Sequence, residues 1–288
     1  MRRIALPLAL IAMALAVACA STQQKIPGAP GGKNSSPAAK SKTPGQLPGD
    51  ETIKNSEVAY NMALEFAGQQ NMEAAHHYIQ LAIKLKPDAK YSYTEGLIFL
   101  SESRFQDALA HFQSALDQGP GTQDNKLAVL NAMGVCYKEL GQNDQALEKF
   151  REVVNSQGVF SRFESYYNMG IIYMAQQKLL DAEAVFMKVV DENPAYYKAY
   201  NKLGILDGIK GDWLDAATYF KKALEILSRD YSATQSDGAE IYCNYGEALM
   251  NGKLYPQARN ALLQVLKIAP ESQWGQKAKG LLAQLGGT

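Results

Sequence analysis

Reactive side chains are scarce in this chain. Among 288 residues there are three cysteines (Cys19, Cys136, Cys243) and three histidines (His76, His77, His111). The cysteine spacing fits no zinc or haem motif. Neighbours i and i+1 on a helix point about 100° apart, so His76 and His77 do not share an ion, and no metal site or cofactor is expected. No glycine-rich phosphate loop, nucleophile elbow or paired His-Glu metal motif occurs, and the chain is read as not an enzyme. Neither sign of charge dominates, with 29 Lys+Arg against 29 Asp+Glu. That balance points away from nucleic acid as a partner.

Long apolar runs are missing too. The longest, Ile4 to Ala18, has 15 residues and is broken by Pro7. A spanning helix needs about 20, so this run, behind Arg2 and Arg3, has the anatomy of a secretory signal over residues 1–18. Small residues at Ala16 and Ala18 suit cleavage before Cys19. The stretch "LAVACAS" (Leu15–Ser21) resembles the bacterial lipobox, which implies acylation of Cys19, although Ala16 stands where that motif prefers leucine. The alternative is a soluble exported protein cut after Ala18 or Ala20. Residues 19–54 are rich in Pro, Gly, Ser and Lys with almost no large apolar side chains. Such a segment buries too little surface to offset its ordering entropy, and is expected to be a flexible tether reaching roughly 30 Å.

From residue 56 the chain repeats itself. Six copies begin at Ser56, Ala89, Leu127, Phe163, Tyr197 and Ala239, with approximate spans 56–88, 89–122, 127–160, 163–196, 197–230 and 239–271. Position 8 is small in each (Ala63, Gly96, Gly134, Gly170, Gly204, Gly246), and position 20 is always alanine. Position 24 is Ile79, Phe112, Phe150, Phe186, Phe220 and Leu262. "YNMGIIYMAQQKLLDAEAVF" (Tyr167–Phe186) and "YNKLGILDGIKGDWLDAATYF" (Tyr200–Phe220) carry the pattern most fully. It resembles the tetratricopeptide family. The resemblance implies an all-α, right-handed solenoid of six helix-turn-helix repeats filling residues 55–288, closed by a capping helix at 272–285. Extra residues after copies two and five fall between repeats and are expected to lengthen the flanking helices.

Asp207 sits at position 11, where other copies carry Phe66, Phe99, Tyr137, Tyr173 and Leu249. A carboxylate in a packing site needs a partner, with Lys210, Lys202 or a tyrosine hydroxyl as candidates. Cys136 and Cys243, three repeats apart, are expected to stay unpaired, Cys136 as buried packing and Cys243 near the groove.

In that family the first helix of each repeat lines a concave groove. Position 5 there is Tyr60, Tyr93, Asn131, Tyr167 and Asn201, followed by Cys243. Position 9 is Leu64, Leu97, Val135, Ile171 and Ile205, and position 12 adds Leu100 and Met174. An apolar track edged by tyrosine and asparagine suits an amphipathic or extended peptide. Packing between neighbouring helices is the alternative for any single position. The lysine and asparagine of acidic-terminus clamps are missing from positions 5 and 9.

Export signal, Cys19, tether, six repeats and the linker "NSQGVFSRFESYYNMG" (Asn155–Gly170) together resemble the PilW/PilF-type pilus-biogenesis lipoproteins, or pilotins. The resemblance implies a non-enzymatic, lipid-anchored scaffold on the outer membrane, facing the periplasm, that helps secretin subunits assemble for type IV pili. A periplasmic adaptor recruiting peptidoglycan or other envelope enzymes is the alternative.

Overall fold

The computed structural model describes residues 53–157, 161–230 and 234–286. The signal-like stretch, Cys19 and nearly all of the tether lie outside them. The described residues form thirteen α-helices and no strands. They divide into two compact units, with the division between Gln142 and Asn143. The first unit holds α1 (Ser56–Gly68), α2 (Met72–Leu85), α3 (Ala89–Ser101), α4 (Phe105–Asp117) and α5 (Gln123–Glu139). The second holds α6 (Asn143–Val154), α7 (Phe163–Ala175), α8 (Leu179–Glu192), α9 (Tyr197–Lys210), α10 (Trp213–Leu227), α11 (Gln235–Asn251), α12 (Tyr255–Ile268) and α13 (Gln273–Gly286).

Helices pack as consecutive pairs, α1 on α2 and α3 on α4 in one unit, α7 on α8, α9 on α10 and α11 on α12 in the other. The pairing follows from residue size. Alanine at position 20 (Ala75, Ala108, Ala146, Ala182, Ala216, Ala258) is wholly buried in every copy. A Cβ added to Gly96 would lie 2.5 Å from the Phe112 ring, and one on Gly170 2.6 Å from the Phe186 ring. The aromatic at position 24 thus fills the space that position 8 leaves. Where position 24 is the smaller Ile79, position 8 is alanine, Ala63. The two positions trade volume.

Side-chain caps start several of these helices. Asn55 accepts from the Glu57 N–H at 2.9 Å, Asp88 from Lys90 at 2.9 Å, and Thr234 and Asp237 form a reciprocal capping box. The turn inside each repeat has one recurring device. Position 15 has positive φ in all six copies, at Gln70, Ser103, Gly141, Gln177, Gly211 and Lys253. The next residue's N–H then returns to the position-11 carbonyl, as from Asn71 to Phe66 and from Asp212 to Asp207, both at 2.9 Å. This is a Schellman closure. Only two of the six carry glycine, so the other four accept left-handed strain to stop the helix.

The extra residues between copies extend the helices that follow. Both α5 and α11 run to 17 residues and begin four residues ahead of the repeat register. The last helix, α13, packs on α12 and α11 and buries Ala278, Leu281 and Leu285 in the cluster that holds Leu262 and Val265. No helix among the described residues is long and apolar enough to cross a membrane.

Candidate partner-binding face

In the first unit, Tyr93, Leu97, Leu100 and Val135 join one cluster with Phe112 and Cys136, while Tyr60 and Leu64 belong to another with Ile79. Leu64, Tyr93, Leu97, Asn131 and Val135 are half-buried, whereas Tyr60 and Leu100 are buried at 4% and 5% exposure. In the second unit Tyr167, Ile171, Met174 and Ile205 are half-buried, and Asn201 is buried at 5%. The position-9 aliphatics therefore each present part of their surface. Much of position 5 is support instead. Cys243, expected near the groove, is wholly buried in the α9–α13 core, where it packs with Leu249, Leu262 and Val265. Burial pushes its thiol up to about 11 and that of Cys136 up to about 12, so both stay protonated packing groups.

The first unit uses position 2 to join its repeats. Lys90 Nζ donates to Glu57 Oε2 and Oε1 at 2.9 and 3.1 Å, and lies 4.4 Å from the Tyr60 ring centroid and 5.0 Å from that of Tyr91. The Tyr91 hydroxyl also donates to Glu57, at 3.0 Å. The lysine's hydrogen bonds hold the Glu57 carboxyl below its usual range; burial works against Lys90, but the bonds to Glu57 keep its ammonium above its own.

The second unit has a cavity of about 190 Å³, lined by side chains of α7, α9 and α11, including Tyr167, Tyr197, Lys198, Asn201, Asp237 and Glu240. Asn201 Nδ2 donates to Glu240 Oε1 at 2.8 Å, Asn244 donates to Asn201 Oδ1 at 3.3 Å, and Lys202 lies 3.5 Å from the same Glu240 oxygen. Burial pushes Asp237 up, but hydrogen bonds from Thr234 and Tyr197 outweigh it and leave its carboxyl lowered. One turn before Tyr167, Glu164 is raised by burial, and Lys198 offsets this only through space. Burial also raises the hydroxyls of Tyr167, Tyr196 and Tyr197, and the nearby carboxylates Glu240, Glu164 and Asp237 add to it.

Two internal clusters account for other charged residues. Asp207, 8% exposed, is held by Lys210 at 3.1 Å, and that lysine also reaches Glu183 at 2.8 Å. Glu95 is buried to 1% with His111 Nδ1 3.3 Å away, His76 Nδ1 3.9 Å away and Gln80 Nε2 donating at 3.0 Å. The Phe99 ring contacts both imidazoles, at centroid distances of 4.3 and 5.1 Å. Sequence reasoning excluded a shared ion between His76 and His77 but missed this cluster. A signal was present, since Glu95 occupies position 7, where other copies carry Met62, Met133, Met169, Leu203 and Tyr245. Among the described residues no group of three ligands is arranged to hold a metal ion.

The tetratricopeptide repeat family matches residues 91–157, 163–196 and 239–272. This is an all-α tetratricopeptide-repeat fold. Among solved structures, PilF of Pseudomonas aeruginosa superposes with a TM-score of 0.65 at 17% identity, over 78% of this chain and 96% of that one. PilW, described as a widely conserved type IV pilus biogenesis factor, superposes with a TM-score of 0.64 at 20% identity, over 77% and 96%. Among curated proteins, the uncharacterized protein ycf37 of Guillardia theta is 27% identical over 124 residues, 43% of this chain and 68% of its own length. The fold is thus similar to those of PilF and of the pilus biogenesis factor PilW.

Proposed function

We propose that this scaffold is exported, anchored to the outer membrane through an acylated Cys19, and assists secretin assembly for type IV pili from the periplasmic side. The observation that carries the reading is the likeness to PilF and PilW over nearly the whole length of both. The Cys19 pattern and the tether length agree with it. In each unit the first helices hold the partner, with Leu97 as an apolar anchor in one and Ile171 in the other, and tyrosine and asparagine beside them. The tether keeps that face close to the membrane and raises its local concentration there without adding a contact.

Affinity capture on the mature chain tests the reading. Secretin subunits are expected among the captured proteins, and the Leu97→Glu, Ile171→Glu double variant is expected to lose them while remaining helical. Recovery of only peptidoglycan synthases or hydrolases would transfer the scaffold to the envelope-enzyme reading. Mass spectrometry of the mature N-terminus checks the anchor, and an unmodified start at Ser21 would remove it.

A further inference from the structure

Position 18 lies in the first turn of the second helix of each repeat and is exposed in all six copies. The first three copies fill it with Glu73, Gln106 and Asp144, as a solvent-facing position invites. Copies four and five instead place Leu180 and Leu214 there, 79% and 59% exposed. Copy six has Pro256, preceded by Leu254 and Tyr255, which are also exposed. Ile209, in the last turn of α9, is 58% exposed. The three turns are neighbours. Lys210 in the turn of copy five bonds Glu183, one helical turn beyond Leu180, at 2.8 Å. A Cβ added to Gly252 in the turn of copy six would lie 3.1 Å from Leu214 Cδ2. The exposed apolar side chains therefore follow one edge of the second unit, the edge made by the turns inside its repeats. Scattered single leucines on a surface need no explanation, but five apolar side chains over three consecutive turns do.

We infer that this turn edge rests on a lipid surface, with Leu180, Ile209, Leu214 and Tyr255 dipping into its interfacial layer. The inference rests on the lipid-anchored reading above and adds a second membrane contact to the acyl chains. Area argues for lipid over protein, because five side chains fall short of the ~800 Å² per partner that a specific protein interface needs. Charge agrees with an uncharged surface. Lys178 and Lys253 share these turns with Asp181, Asp212 and Asp215, and Lys210 is already held by Glu183 and Asp207. Insertion of apolar side chains between zwitterionic headgroups needs no excess of either sign. The stretch between Cys19 and Ile53, with a reach of roughly 30 Å by its composition, supplies the rest. It holds the chain at the surface, where a contact too weak to recruit it from solution is made again and again.

The test couples the chain from Cys19 to Thr288 through the Cys19 thiol to a maleimide lipid in phosphatidylcholine vesicles. Cys136 and Cys243 are buried, so Cys19 takes the coupling. A Trp274→Phe background leaves Trp213, half-buried and next to Leu214, as the single reporter. Its emission is expected to fall about twofold on vesicles whose acyl chains are brominated near the headgroup, against unbrominated ones, and to change little with salt. In the Leu180→Gln, Leu214→Gln double variant the fall is expected to vanish. Both leucines are exposed and Gln106 fills the same position in copy two, so the fold is kept, and a thermal melt verifies it. Leu85→Gln, which removes an exposed leucine of the first unit, is expected to leave the quenching unchanged. No quenching in the coupled parent, quenching that survives the double variant, or an equal loss in Leu85→Gln overturns the lipid contact. A dimer in sedimentation that the double variant dissolves would give the edge to a second copy and overturn it likewise. An unmodified N-terminus in the protein from cells would overturn the acyl anchor alone, since the coupling supplies an anchor chemically.

Discussion

Glu57 with Lys90 and Glu164 with Lys198 occupy the same positions in two pairs of adjacent repeats, yet only the first pair closes. In the first unit the lysine meets the carboxylate at 2.9 Å over a tyrosine ring, and Tyr91 adds a hydrogen bond. In the second unit the carboxylate is more deeply set, and Lys198 acts on it only through space. The contrast extends to the buried acid of the first unit. Glu95 is surrounded by His76, His111 and Gln80 from its own fold, whereas Glu164 has no such shell. The first pair closes on itself, and the second leaves Glu164 with no ammonium bonded to it. Repeat register alone therefore leaves the electrostatics of a site open, because the distance between partners depends on how far each helix pair rotates against the next.

The comparison breaks most sharply at Glu95. Replacing it with alanine strips both histidines and Gln80 of their common partner, and is expected to cost about 3 kcal/mol. Both tryptophans, Trp213 and Trp274, lie in the second unit. The loss should therefore appear as faster amide exchange in α2–α4, with little change in tryptophan-monitored unfolding of the second unit. A smaller effect is expected at Asp207. Asp207→Leu restores the apolar residue that the other copies place at position 11, and should leave stability within about 1 kcal/mol of the parent or above it by denaturant titration. Survival of that variant would show that the buried Asp207–Lys210 contact adds little net stability.

The smallest effects are opposite in sign at the two position-2 acids. Glu57→Gln loses a half-exposed ion pair and should destabilise by a few tenths of a kcal/mol. Glu164→Gln removes a half-buried charge that no ammonium bonds, and should stabilise slightly near neutral pH. The sign follows from linkage. Burial raises the folded Glu164 pKa, so the folded chain holds its proton to higher pH than the unfolded chain does. Its contribution to stability is full below the ordinary carboxylate range, near pH 4, and declines as pH rises through the raised folded value. Melting curves of parent and Glu164→Gln should therefore diverge upward in pH, with the parent falling behind. Parallel curves would mean that Glu164 is already satisfied.

Much of the architecture was legible because it depends on sizes at fixed spacing. The alternation of Gly96 with Phe112, or Ala63 with Ile79, is a steric rule between two helices of one repeat, and it prints itself on the chain every 34 residues or so. The expected lengthening of helices beside the inserted residues appears in α5 and α11 for the same local reason. The left-handed turn residue at position 15 was not legible. Gln70, Ser103, Gln177 and Lys253 have no shared chemistry, and backbone closure rather than side-chain preference sets their φ. Cys243 was misplaced because position 5 was read as a uniform surface position, whereas Tyr60, Asn201 and Cys243 are all buried there.

The sequence by itself determined the repeat, the helix pairs and the apolar first-helix positions, since each follows from periodicity and residue volume. Only the tertiary structure decided which charges meet. Whether His76 and His111 converge on Glu95, and whether a position-2 lysine closes on its glutamate, depends on the packing of one repeat against the next. Distances of a few ångströms there decide whether an ion pair forms, and no spacing along the chain encodes them.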